Sequence, residues 1–209
     1  MPIKTNEREY RDFLLAVIPD SEESKTVKGY ALTFNEPYTL LEDNEIVIQE
    51  QVDSRAFEGT DLSDVIMQYD HAGRVFARIS NGTLKVEPDE RGLAIEADLG
   101  GTDIGGQLYQ EIKGGYTTKM SYSYTTKEDS WEQRQLDDGR ILALRTIKSI
   151  SKVYDVSAVS LPANNATSIS ARNLSDGVIN EIKAERLKAL ELERNKLRLR
   201  MRLGGLING

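Results

Sequence analysis

From residue 28 onward the chain is dominated by short apolar and aromatic runs separated by turn residues. Apolar side chains at every second position mark a strand with one buried face, whereas a three-to-four spacing marks a helix. On this basis residues 29–34, 45–52, 65–69, 75–79, 82–86 and 93–99 read as strands. Asn35-Glu36-Pro37, Asn81-Gly82 and Asp89-Glu90-Arg91-Gly92 supply turn chemistry between them. Many short strands at this spacing indicate a β-sandwich or barrel. Thr102-Asp103 can cap a short helix to about Lys113, with Leu108 and Ile112 on one face and Gly114-Gly115 at its end. Residues 118–126 and 141–161 are again extended. The polar stretch 131–140 between them reads as a hairpin-like connection ending in Asp138-Gly139.

The two ends differ from this body. Residues 1–27 are polar and charged apart from an apolar run at 13–18, which Pro19 ends; they read as a leader or edge element. Residues 164–176 read as a polar exit. Asp176 then caps a long helix over 178–203, with Leu187, Leu190, Leu197 and Met201 on one stripe and Gly204-Gly205 as its stop. The expected organisation is a leader (1–27), a mainly β (α+β) domain (28–172) and a basic amphipathic helix (173–209) serving as an arm for a partner.

Composition narrows the chemistry. The 209 residues are 39% hydrophobic and 29% charged, as in a soluble globular protein. No apolar run approaches the roughly 18 residues that span a bilayer, and residues 1–7 contain no secretory apolar core. With no cysteine there are no disulfides, thiolate nucleophiles or thiolate metal sites. With one histidine and no EF-hand spacing, no metal and no cofactor are expected. Gly100 to Gly106 is glycine-rich but lacks the lysine of a phosphate loop. The net charge of −7 is unevenly spread. Residues 178–203 carry eight Lys/Arg against four Asp/Glu, a net of +4, which leaves −11 on the rest. An acidic body is a poor phosphate binder, so no specific nucleic acid is expected as a partner.

A neutral-pH hydrolase working by proton transfer would have to use the one imidazole, His71, which follows an apolar strand. In Lys119-Met120-Ser121-Tyr122-Ser123-Tyr124, alternation puts Met120, Tyr122 and Tyr124 on one face and Ser121 and Ser123 on the other. Either serine would be rigidly held, as a nucleophile must be. An ordinary amphipathic strand has the same pattern. Asp155, in the β-run from Val153, could accept a bond from the second imidazole nitrogen and stabilise the imidazolium.

Residues 27–170 resemble the prohead (procapsid) maturation proteases of tailed bacteriophages, serine proteases with a herpesvirus-assemblin-like fold. The resemblance is carried by Gly29-Tyr30-Ala31 with Phe34-Asn35-Glu36-Pro37, and by Asp53-Ser54-Arg55-Ala56-Phe57. Asp70-His71 and the turn-rich stretch from Gly82 to Leu93 extend it, as do Met120-Ser121-Tyr122 and Asp155-Val156-Ser157 leading into Leu161-Pro162-Ala163-Asn164. It implies an assemblin-like β-barrel with short helices and a long C-terminal helix. It implies His71 as general base, Ser121 as nucleophile and Asp155 as the group orienting His71, where relatives often carry glutamate. The family commonly has glycine two residues after the nucleophile; this chain has Ser123.

The implied activity is a serine endopeptidase of virion maturation. Its substrates would be the scaffolding protein or the scaffold domain of the major capsid protein, and then the enzyme itself. It would act inside the assembling prohead in the host bacterial cytoplasm, with no membrane partner, and relatives of the assemblin type form homodimers. Backbone N–H groups would form the oxyanion hole, with Gly114-Gly115 and Arg74 as candidates. Two other classes are open on sequence alone: a non-enzymatic capsid- or scaffold-binding assembly protein, and a carboxylate-pair hydrolase, for which no spacing selects a pair.

Overall fold

The computed structural model describes residues 8–13, 18–21, 25–159 and 169–207. The chain is mainly β. Its strands in order are β1 (Glu9–Phe13), β2 (Ile18–Ser21), β3 (Thr26–Thr33), β4 (Tyr38–Glu42), β5 (Ile46–Val52), β6 (Ile66–Tyr69), β7 (Ala72–Arg78), β8 (Leu84–Pro88) and β9 (Gly92–Asp98). Helix α1 (Asp103–Lys113) follows, then β10 (Lys119–Gln135), β11 (Ile141–Val159) and helix α2 (Ile169–Ile207). The strands form two sheets. The larger has the order β1-β10-β11-β5-β4, with β6 and β7 joined to it through β11; the smaller is β2-β3-β9-β8. The pairings among the described residues close into no ring.

Alternation explains why these segments pair. In β8 and β9, Leu84, Val86, Leu93, Ile95 and Ala97 are buried. They meet Val27 and Leu32 of β3, Leu108 and Ile112 of α1, and Met120, Tyr122 and Val156 of the larger sheet in one core. Burying such side chains stabilises the fold by about 1.5–3 kcal/mol each. Thr102 caps α1 as expected, its side chain accepting a bond from the Gly105 amide at 3.1 Å.

Three expectations change. Polar residues 131–135 belong to β10, not to a connection: the ladder with β11 runs out to Gln135 opposite Ile141, and the turn shrinks to Leu136–Arg140. This stretch of β10 lies on the sheet edge beyond the reach of β1, and ladder bonds need no apolar side chains, so apart from Trp131 it leaves no hydrophobic trace. Tyr38–Glu42 is an edge strand that alternation missed. Helix α2 begins at Ile169, before the expected Asp176 cap, and runs through Gly204-Gly205 to Ile207. An Asp or Gly inside a helix costs only about 1 kcal/mol and does not have to end it. The first part of the expected exit, 164–168, lies outside the described residues. Val178 and Ile182 pack on Leu40, Ile46, Ile48 and Ala143, while Leu187, Leu190 and Leu197 are exposed.

Candidate active site

The long strand β11 organises the site. Its first half pairs in parallel with β5 and its second half with β6, while β10 runs antiparallel along its other edge. Ser121 stands opposite Ser157, and Ser123 opposite Asp155. Directly opposed residues share a face, so these four side chains form a square on one face of the sheet. The register then skips Tyr154, a bulge immediately beside Asp155. Bulges re-aim side chains next to functional sites.

His71 arrives from the other side of β11. Strands β6 and β7 are joined by a two-residue turn, Asp70-His71, in which both residues have positive φ (48° and 55°). Such hairpin turns favour Asn, Asp or Gly first and Gly second, and Asp and His are among the non-glycine residues that best tolerate positive φ. The turn is pinned by the Asp70 amide donating to the Ala158 carbonyl at 3.0 Å. The imidazole is thereby held over the square, with Nδ1 2.5 Å from Asp155 Oδ1 and Nε2 2.5 Å from Ser121 Oγ.

Asp155 is fully buried and its two oxygens are fully engaged. Oδ1 receives His71 Nδ1 and, at 2.9 Å, the Ser157 hydroxyl. Oδ2 accepts from the Ser123 hydroxyl and from the Arg8 guanidinium. Burial pushes the Asp155 carboxyl up, but the bonds from His71, Ser123 and Ser157 outweigh it and hold the carboxyl below the ordinary 3.8. An ionised carboxylate on Nδ1 fixes the tautomer in which Nδ1 carries the proton and Nε2 has a free lone pair. Nε2 can then take the Ser121 proton.

The structure thus brings His71, Ser121 and Asp155 together, and it separates the two serines that alternation could not. Ser121 lies on the imidazole, whereas the Ser123 hydroxyl is spent on Asp155. The oxyanion candidates fare differently. The Gly114 and Gly115 amides donate to the Gln110 and Ile112 carbonyls at the end of α1, at 2.8 and 3.1 Å, and so cap that helix instead. Arg74 lines a cleft of about 370 Å³ beside the His71 turn, with Tyr69, Ala72, Phe76, Ile104 and Leu108.

Sequence reasoning missed the contribution of the N-terminal strand. Tyr10 meets the imidazole edge-on at 4.9 Å, and Arg8 also bonds Ser123 Oγ at 2.6 Å through Nη2. On the opposite face, Arg11 and Glu9 enter a buried ion cluster with Glu50 and Arg145. Arg11 grips Glu50 with Nε at 2.6 Å and Nη2 at 3.0 Å, and Arg145 Nη1 bonds Glu9 at 2.6 Å and Glu50 at 2.7 Å. Burial raises the Glu50 carboxyl, but the two guanidiniums overcome this and pull it down to about 2.

Comparison with curated proteins and with solved structures finds no match to this chain. A family model does match, that of the caudovirus prohead serine proteases, over residues 15–180. That span contains the imidazole, both serines and the carboxylate, and the protein belongs to this family.

Proposed function

We propose that this protein is a maturation endopeptidase of the assembling prohead in which Ser121 is the nucleophile, His71 the general base and Asp155 the carboxylate that orients His71. The observation that carries the reading is the single imidazole in contact with both partners, 2.5 Å from Ser121 Oγ and 2.5 Å from Asp155 Oδ1. In the first step Ser121 Oγ attacks the scissile carbonyl carbon while Nε2 takes the hydroxyl proton. The imidazolium, stabilised by Asp155, returns that proton to the leaving amine. Water then attacks the acyl-enzyme, with His71 again as base, and releases the acid. Ser123 and Ser157 hold the carboxylate in place.

The substrates in this proposal are the scaffold domain of the major capsid protein or a separate scaffolding protein, followed by the protease itself, within the prohead in the host bacterial cytoplasm. The family assignment supports this. The proposal includes the assemblin-like barrel as the arrangement of the two sheets, supported by the core they share. It gives the exposed Leu187–Leu190–Leu197 face of α2 the role of docking to scaffold helices, and it allows a homodimer.

Co-expression with the capsid and scaffold proteins, followed by mass spectrometry of the products, tests the assignment. Wild-type protein is expected to yield discrete fragments and to process itself, and Ser121→Ala to yield neither. Equal processing by both would remove Ser121 from the mechanism. No processing by the wild type would favour a non-enzymatic assembly protein. Truncation before Leu187 is expected to lower the number of protease copies per prohead; unchanged incorporation would contradict the docking role.

A further inference from the structure

Ser121 is completely buried, which is an odd state for a nucleophile that must meet a polypeptide. What buries it is β1, paired antiparallel along the edge of β10 from Glu9 opposite Tyr124 to Phe13 opposite Met120. The contacts of this strand fall on the atoms the proposed chemistry needs. The Ser121 hydroxyl donates to the main-chain carbonyl of Arg11 at 2.9 Å. A serine hydroxyl has one proton, so this carbonyl competes with Nε2 for it. Arg8 sits on Oδ2 of Asp155, so a second cation competes with the imidazolium for one carboxylate. The strand lies outside the span matched by the family model, which begins at residue 15.

We infer that β1 is an internal pseudosubstrate: it occupies the edge of β10 on which the extended segment of a true substrate docks, and Arg11 occupies the pocket that selects the residue contributing the scissile carbonyl. This rests on the proposed roles of His71 and Ser121. Edge pairing supplies sequence-independent main-chain bonds, and side-chain pockets supply the choice. Here the carbonyl facing Ser121 belongs to Arg11, and its side chain enters a fully buried site where both Glu50 oxygens take the guanidinium in a two-pronged grip. That geometry suits arginine and not lysine, which offers a point charge without the planar fork. Tyr124 stacks below, its ring centroid 5.8 Å from the guanidinium carbon. The site is fully buried and already filled by the protein's own chain.

The test uses the full-length chain and a fluorophosphonate probe, whose phosphorus is attacked by Ser121 Oγ as fluoride leaves and the proton passes to His71. Arg8→Ala removes the contact to Asp155 but leaves the buried cluster in place, and Arg8 is partly exposed, so the fold is expected to persist. Labelling at Ser121 is expected to be about tenfold faster or more in Arg8→Ala than in the wild type, the scale of one charge-assisted hydrogen bond. Amide exchange of residues 9–13 is expected to rise in the adduct while the ladder between β10 and β11 stays protected. Equal labelling of the two proteins, including none at all, or unchanged protection of β1 in the adduct, overturns the pseudosubstrate. In the co-expression experiment, Ser121-dependent cuts are expected to follow arginine. Ser121-dependent cuts after uncharged residues overturn the arginine pocket alone, and cuts that survive Ser121→Ala overturn the proposed function itself.

Discussion

Two polar clusters lie back to back across β1 and β10, and they are built from similar parts. One holds Asp155 with His71, Ser121, Ser123 and Ser157; the other holds Glu50 and Glu9 with Arg11 and Arg145. Both bury carboxylates and both hold them ionised below their ordinary range. The difference is that Asp155, besides the Arg8 guanidinium, has an imidazole partner. A guanidinium keeps its charge at any pH a protein survives, so the Glu50 cluster can anchor but cannot move a proton. An imidazole can accept and return a proton at Nε2, which here faces a hydroxyl. The same strand pair therefore has a fixed side, which holds β1 in register, and a switchable side, where proton transfer is possible.

Variants on the two sides should separate this contrast. The largest effect is expected at Ser121→Ala, about 10⁴-fold or more in proteolysis with the fold unchanged, as seen when a residue of a cooperating triad is removed. Asp155→Asn should cost about 10³–10⁴-fold by losing control of the His71 tautomer; a loss confined to thermal stability, with kcat retained, would break the comparison. On the fixed side, Arg145→Leu should lower stability by about 3–5 kcal/mol, because it leaves Glu9 and Glu50 short of a buried cation. Chemical denaturation measures this directly.

The two sides also predict a direction with pH. Glu50 lies near 2 in the folded protein against an ordinary 4.5. Its contribution to stability should be complete above pH 4.5 and lost as the pH falls towards 2, where the folded carboxyl also takes up a proton. Thermal midpoints across that window should fall in the wild type and fall less steeply in Glu50→Gln. The smallest effect is expected at Ser157→Ala, about tenfold in kcat, since it removes one of several bonds to Asp155.

Sequence pattern reached the parts of the fold held by alternating apolar side chains. Strands β3, β5 and β9 were legible because each buries several apolar side chains, and β6 because buried Val65 and Met67 alternate into it. Strand β1 was not legible. Its inward side chains on one face are Glu9 and Arg11, whose partners Glu50 and Arg145 lie far away in the chain, so a buried row looks like a solvated one until the ions are paired. The site was legible as a set of residue types around one histidine. Alternation could not say whether Ser121 or Ser123 faces the imidazole, because both share a face. That depends on register with β11, where Asp155 stands opposite Ser123 and draws its hydroxyl away. The two-residue turn carrying His71 gave no signal either, since Asp-His is not a usual hairpin pair.

The most direct measurement is the site of covalent modification after prolonged exposure of the full-length protein to excess fluorophosphonate. The tryptic peptide spanning residues 120–127 contains both serines, and fragmentation distinguishes them. The account predicts a single adduct on Ser121 that disappears in His71→Ala. An adduct on Ser123, or one on Ser121 that forms equally fast without the imidazole, would contradict it.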